Sequence, residues 1–128
     1  MDRRLFLLGS AAALAMGAGL TPATAGSGAY ILIVMARDCP WCIDWNAFDR
    51  PAFTRLTKAQ NVPVREVEVM RYSDIREEAA WPADLKPMLA QIRQSGGTPR
   101  FIIVQNGRVV QHAVGRRQYQ LGILPLLA

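Results

Sequence analysis

Two cysteines stand three positions apart in the run Asp38-Cys39-Pro40-Trp41-Cys42, and the chain has no others. A C-x-x-C pair has three chemical uses. It can exchange a dithiol for a disulfide, supply half of a metal site, or close a structural staple. A staple is the poorest of these, because a loop of two intervening residues constrains the unfolded chain very little. A zinc centre needs two further ligands, and the sole histidine, His112, belongs to a distant β-rich run. Two thiolates alone can hold Cu(I), with Met35 and Met70 as further soft donors, although both methionines fit a buried strand better. Redox exchange asks for nothing beyond the pair itself. Cys39 attacks a partner disulfide, a mixed disulfide forms, and Cys42 resolves it.

Attack needs a thiolate, so the elements around the pair decide how well it works. Ala29–Ala36, A-Y-I-L-I-V-M-A, is a continuous apolar run, as expected of a strand covered on both faces. Arg37-Asp38 ends it, and Pro40 suits the first turn of a helix. Cys39 therefore falls at a helix N-terminus, where partial positive charge and free N–H groups stabilise an anion. Cys42 is one turn further in, less exposed and within reach of Cys39. Trp41 is expected at the surface beside the sulfur, as an apolar contact for a substrate. Trp45 and Trp81 are expected in packing.

The helix should run to Phe48, kink at Asp49-Arg50-Pro51 and resume over Ala52–Gln60, with Phe53 and Leu56 inward. Asn61-Val62-Pro63 is a break. Val64–Met70 reads as a second strand with one wetter face. Residues 71–84 are charged, lack a clear period and read as a helical excursion. Leu85, Met88, Leu89 and Ile92 have helical spacing, with Pro87 in the first turn. Phe101–Gln105 and Val109–Val114 flank Asn106-Gly107, a strong hairpin signal. Gly115 breaks the last strand, and a final helix over Arg116–Leu124 should be limited by Pro125. The order β-α-β-α-β-β-α is that of an α/β domain. It implies one mixed four-stranded sheet with helices on both faces and a parallel first pair joined by a right-handed crossover.

The N-terminus adds a compartment. Residues 1–25 have a charged start, a run of small and apolar residues, and Ala23-Thr24-Ala25. That is the layout of a cleaved secretory signal peptide. Arg3-Arg4-Leu5-Phe6-Leu7 also looks like the core of a twin-arginine export signal. Gly9, Ser10, Gly17 and Gly19 interrupt the run too often for a comfortable membrane span. The expected domains are thus 1–25, a signal, and 26–128, a folded unit in the bacterial periplasm. That compartment is oxidising, which gives a reversible dithiol work to do. The net charge of the whole chain is +5, and its basic residues are scattered apart from Arg116-Arg117. No basic stripe interleaved with aromatics exists, which argues against a nucleic-acid partner.

With these motifs in hand, the chain resembles the thioredoxin-like superfamily over Tyr30 to about Leu124. C-P-W-C after a strand resembles its redox centre. Gly97-Thr98-Pro99 before a strand resembles the loop in which these proteins hold a cis-proline against the active-site sulfurs. The run F-I-I-V-Q-N-G-R-V-V resembles their terminal hairpin, and Gly115 their usual following glycine. The resemblance implies a thioredoxin-like fold and a protein-disulfide reductase with Cys39 and Cys42 as catalytic residues. It also implies that Asp38, Pro40, Trp41, Thr98 and Pro99 support the site or bind substrate, the Thr98 backbone pairing with an extended chain. No cofactor beyond the redox-active Cys39–Cys42 disulfide is implied. The implied partners are periplasmic proteins with disulfides and a membrane thiol-disulfide electron donor, served by a monomer. Compact exported relatives of this kind act in sulfur-oxidation systems, where they keep a carrier thiol active, or in apocytochrome c maturation. A Cu(I)-handling protein and a dithiol oxidase or isomerase are the alternatives.

Three departures from the family pattern stand out. Ile33 occupies the position where many thioredoxins keep a buried acid that moves a proton from the resolving thiol. Asp38 replaces the usual Trp, and is expected either to oppose thiolate formation by its charge or to cap the helix and point away. The leading β-α unit is absent. Pro-Trp between the cysteines lacks the His of the strongly oxidising periplasmic dithiol oxidase, and Thr98 before the proline resembles isomerases and reducing members. These features favour reduction over oxidation.

Overall fold

The computed structural model describes residues 28–92 and 97–128. The expected signal peptide, residues 1–25, lies outside the described residues. β1 (Ala29–Ala36) runs through the middle of the sheet, and every residue from Tyr30 to Ala36 is buried. That explains its unbroken apolar sequence, since a strand covered on both faces has no wet positions. β1 pairs parallel with β2 (Val64–Val69) on one side and antiparallel with β3 (Arg100–Gln105) on the other. β3 pairs antiparallel with β4 (Arg108–Val114), so the strand order is β2-β1-β3-β4. β2 is an edge strand, with Val67 and Val69 buried and alternating with the exposed Glu66 and Glu68. Asn106 and Gly107 both have positive φ, 51° and 79°, as the two-residue hairpin turn between β3 and β4 requires.

The helix after β1 comes in three pieces, and the expected kink is a π-helical turn. α1 (Pro40–Asp44) leads into that turn over Trp45–Asp49, and α2 (Arg50–Ala59) follows. Pro51 has no N–H for the carbonyl four residues back, and its ring crowds that carbonyl. The turn widens by one residue, and the Arg50 N–H reaches back to the Trp45 carbonyl. Trp45 points into the core, where Phe53, Phe101 and Tyr119 pack against it with ring centroids 5.4, 4.9 and 5.6 Å away.

Residues 71–84 hold no helix longer than a single turn. They form three 3₁₀ turns, Tyr72–Asp74, Glu78–Ala80 and Ala83–Leu85. Tertiary contacts hold them in place. Trp81 is buried and its Nε1–H donates to the Ile75 carbonyl at 2.8 Å. α3 (Lys86–Ile92) follows, with Met88, Leu89 and Ile92 on its buried face, as their spacing requires.

The C-terminus differs from its reading. α4 (Gly115–Gln118) passes into a π-helical turn over Tyr119–Ile123 and then into α5 (Leu124–Leu127). Pro125 does not stop the helix. It sits in the first turn of α5, where a missing N–H costs nothing. Leu126 and Leu127 are buried beyond it, and the Gln60 side-chain amide donates to the Leu127 carbonyl. No described helix is long and apolar enough to cross a membrane.

Candidate active site

Cys39 sits at the junction of β1 and α1 as the helix N-cap, with extended backbone angles of φ −97° and ψ 115°. Its sulfur accepts the Cys42 backbone N–H at 3.2 Å. Its carbonyl takes the N–H groups of Cys42 and Ile43, both at 3.1 Å. The cysteine thus does the work usually given to Ser or Asp at this position, and one orphan N–H of the first turn points at the sulfur. Pro40 at the start of α1 has no N–H to waste there. Both cysteines are buried as free thiols, Cys42 the deeper of the two.

The loop before β3 closes the site from the other side. The Thr98–Pro99 peptide is cis, and the Cys39 thiol donates to the Thr98 carbonyl at 3.4 Å. The Pro99 carbonyl accepts the Gly115 N–H at 2.8 Å, which ties this loop to the end of β4. Strand order, the cysteine pair at the β1–α1 junction and the facing cis-proline are now all in place. The fold is thioredoxin-like.

No family model matches the chain, and no curated protein does. Solved structures similar to it include a thioredoxin from Aeropyrum pernix, 21% identical, covering 79% of this chain and 73% of that one with a TM-score of 0.48. Another is the periplasmic thioredoxin SoxS from Paracoccus pantotrophus in its reduced form, 15% identical, covering 77% and 90% with a TM-score of 0.49. A Fasciola hepatica thioredoxin is 22% identical over 75% of each chain, with a TM-score of 0.47. At these identities the likeness concerns the fold, and no activity is carried over from them.

The surroundings of Cys42 fix its role. Burial, and then the hydrogen bond with Cys39, push the Cys42 thiol up to about 12. The Thr98 side chain and the Ala36 backbone pull it back only in part. No carboxylate is among the groups that act on it, and Ile33 is fully buried in the middle of β1. The Thr98 hydroxyl is itself buried and makes no ordinary hydrogen bond. At neutral pH Cys42 is therefore a neutral thiol. Cys39 is the sulfur at the surface of the site and the one able to meet a partner first.

An open groove of about 290 Å³ runs past Cys39. Asp38, Pro40 and Trp41 form one wall, and Tyr72, Gly97 and Thr98 form the other. Trp41 is 64% exposed, an apolar surface beside the sulfur. Asp38 does not cap α1, since Cys39 takes that position. Its Oδ1 turns aside to accept the Tyr72 backbone N–H at 2.8 Å. Tyr72 belongs to the stretch expected as a helical excursion, and its place in the groove wall comes entirely from tertiary structure. Arg100 is a second residue that patterning passed over. Its side chain is buried, and its Nε and Nη2 donate to the Gly97 carbonyl at 3.3 and 3.1 Å, while Nη1 donates to the Ile92 carbonyl at 2.8 Å.

Among the described residues, no group of three or more His, Cys, Asp and Glu is placed to hold a metal ion. Met35 is buried in β1 as expected. Met70 is not, because β2 ends at Val69 and the methionine beyond it is 65% exposed. His112 lies half-buried in β4, and burial followed by the charge of Arg100 lowers its pKa.

Proposed function

We propose that this protein is a periplasmic thiol-disulfide oxidoreductase that reduces disulfides or mixed disulfides of exported proteins. The Cys39 thiolate attacks one sulfur of the partner's disulfide, and the other leaves as a thiolate and takes up a proton. Cys42 then gives up its proton and attacks the Cys39 sulfur, releasing the second partner thiol. Two electrons have passed to the partner, and the Cys39–Cys42 disulfide remains. A membrane thiol-disulfide donor returns the two electrons. Residues 1–25 act as the export signal and residues 26–128 as the working domain. Asp38, Pro40, Trp41, Thr98 and Pro99 form the surface that receives the partner.

The observation that carries the reading is the cysteine pair at the β1–α1 junction facing the cis Thr98–Pro99 peptide, and the state of Cys42 bears on the direction of transfer. A strong dithiol oxidant is one whose reduced form is stabilised. Here burial pushes the resolving thiol up, and nothing near it stabilises a thiolate strongly enough to offset that. The reduced pair lacks the stabilised Cys42 thiolate that would favour a strong oxidant, which supports the reducing direction. A carrier protein of sulfur oxidation, whose thiol must be kept free of disulfide adducts, is the partner class that suits a small exported reductase.

Insulin reduction by wild type, Cys39→Ser and Cys42→Ser tests the activity. Both variants should lose turnover, and equal activity in all three would sink the proposal. Cys42→Ser expressed in a bacterial periplasm should hold its partner as a mixed disulfide, which identifies the substrate. A potential near roughly −270 mV supports the reductase, and one near roughly −120 mV makes the protein an oxidase.

A further inference from the structure

The two walls of the groove belong to chain segments far apart in sequence, and the contact between them at Cys39 does not last through the reaction. The Cys39 thiol holds the Thr98 carbonyl only while it keeps its proton. That proton is gone from the thiolate, and in the mixed disulfide the sulfur is bonded to the partner. A second tie bypasses the sulfur. Asp38 Oδ1 accepts the Tyr72 backbone N–H at 2.8 Å, and the Tyr72 hydroxyl accepts the Gly97 N–H at 2.9 Å. Asp38 is bonded to Cys39 and Gly97 to Thr98, so the tie closes a ring around the groove. The Gly97 carbonyl is held from its other side by the buried Arg100 guanidinium. Tyr72 also lines a second cavity, of about 250 Å³, together with Ser73, Ile75, Arg76, Leu89 and Arg100.

Resting on the dithiol reading above, we propose that Tyr72 is a positioning residue that holds the Thr98 wall at its working distance while Cys39 is deprotonated or bonded to a partner. Its effect falls on partners that fill the groove. A disulfide-bonded peptide engages both Cys39 and the Thr98 wall, whereas a small aromatic disulfide needs only the sulfur. The Tyr72 hydroxyl accordingly favours extended protein substrates over small disulfides.

Tyr72→Phe removes that hydroxyl and keeps the ring and the backbone N–H. The ratio of kcat/KM for a disulfide-bonded peptide to kcat/KM for 5,5′-dithiobis(2-nitrobenzoate) should fall about fivefold, mostly through KM for the peptide, the size expected from one hydrogen bond. Asp38→Ala removes the other half of the tie and should lower the ratio further than Asp38→Asn, which loses the same charge but keeps an oxygen to accept the Tyr72 N–H. An unchanged ratio in Tyr72→Phe, with equal ratios in the two Asp38 variants, overturns the proposal. A proportional loss on both substrates with a lower thermal midpoint makes Tyr72 merely structural and overturns it too. Wild-type protein inactive toward both disulfides would instead overturn the dithiol reading itself.

Discussion

Asp38 Oδ1 accepts the backbone N–H of Tyr72 at 2.8 Å, which joins the residue before the first cysteine to the segment that follows β2. The carboxylate is thereby kept at the mouth of the site, adjacent in sequence to Cys39, where its negative charge repels an anionic reagent entering the groove. Asp38→Asn removes the charge and leaves an oxygen able to accept the same N–H. Alkylation of Cys39 by the anion iodoacetate at fixed neutral pH should then be about threefold faster, the size of one charge acting through a solvated surface. The gain should shrink in high salt. A rate equal to or below that of wild type would show that Asp38 exerts no such effect.

Cys42 gives the second prediction. Burial is the main reason its thiol is pushed up to about 12, and burial persists when Cys39 is tied up in a mixed disulfide. Release of the partner should therefore speed up about tenfold for each pH unit between about pH 6 and 9, because only the thiolate attacks. Quenched-flow measurement of the mixed disulfide reads this directly, and a flat profile would mean that another group takes the proton. The same shift acts on stability. The folded state holds the Cys42 proton more tightly than the unfolded chain, whose ordinary value is 9.0. Stability from this group is fully present below about pH 9 and is lost as the pH climbs toward the folded value. Urea midpoints of the reduced protein should fall more steeply above about pH 9 in wild type than in Cys42→Ser.

The parts of this site that were legible are those whose signals are local. The apolar run of β1, the cysteine spacing and Asn106-Gly107 each declare themselves within a few residues, whereas Thr98-Pro99 is legible only through the resemblance to the thioredoxin-like superfamily. Tyr72 and Arg100 are legible neither way. A tyrosine in a charged, aperiodic stretch has no pattern to place it, because its 3₁₀ turns are held by Asp38 and by the buried Trp81 rather than by any periodic face. An arginine reads as surface, since arginines are almost never fully buried without partners. Arg100 is buried because the Gly97 and Ile92 carbonyls receive its donors. Pro125 misled for a related reason. A proline marks a helix boundary, and whether it closes one segment or opens the next depends on Leu126 and Leu127 finding the core.

Gly97 offers the sharpest test of how the groove wall is built. Its φ is +90°, and a Cβ placed on it would lie 2.7 Å from Val114 Cγ1. Valine is branched at Cβ and stiff, so the methyl cannot swing away without moving β4. Gly97→Ala therefore carries two costs, about 1–2 kcal/mol for the left-handed backbone and about 1–3 kcal/mol more for the crowding. Gly115 is the natural control. Its φ is +84°, but a Cβ there meets nothing within 4 Å, so Gly115→Ala carries the backbone cost alone. Chemical denaturation should rank the two variants in that order. Gly97→Ala should also lose peptide-disulfide reduction well beyond its loss of stability, because any shift of Gly97 moves the Thr98 carbonyl that faces Cys39. Equal destabilisation by the two alanines would mean that Val114 yields freely and that the loop is not braced against β4.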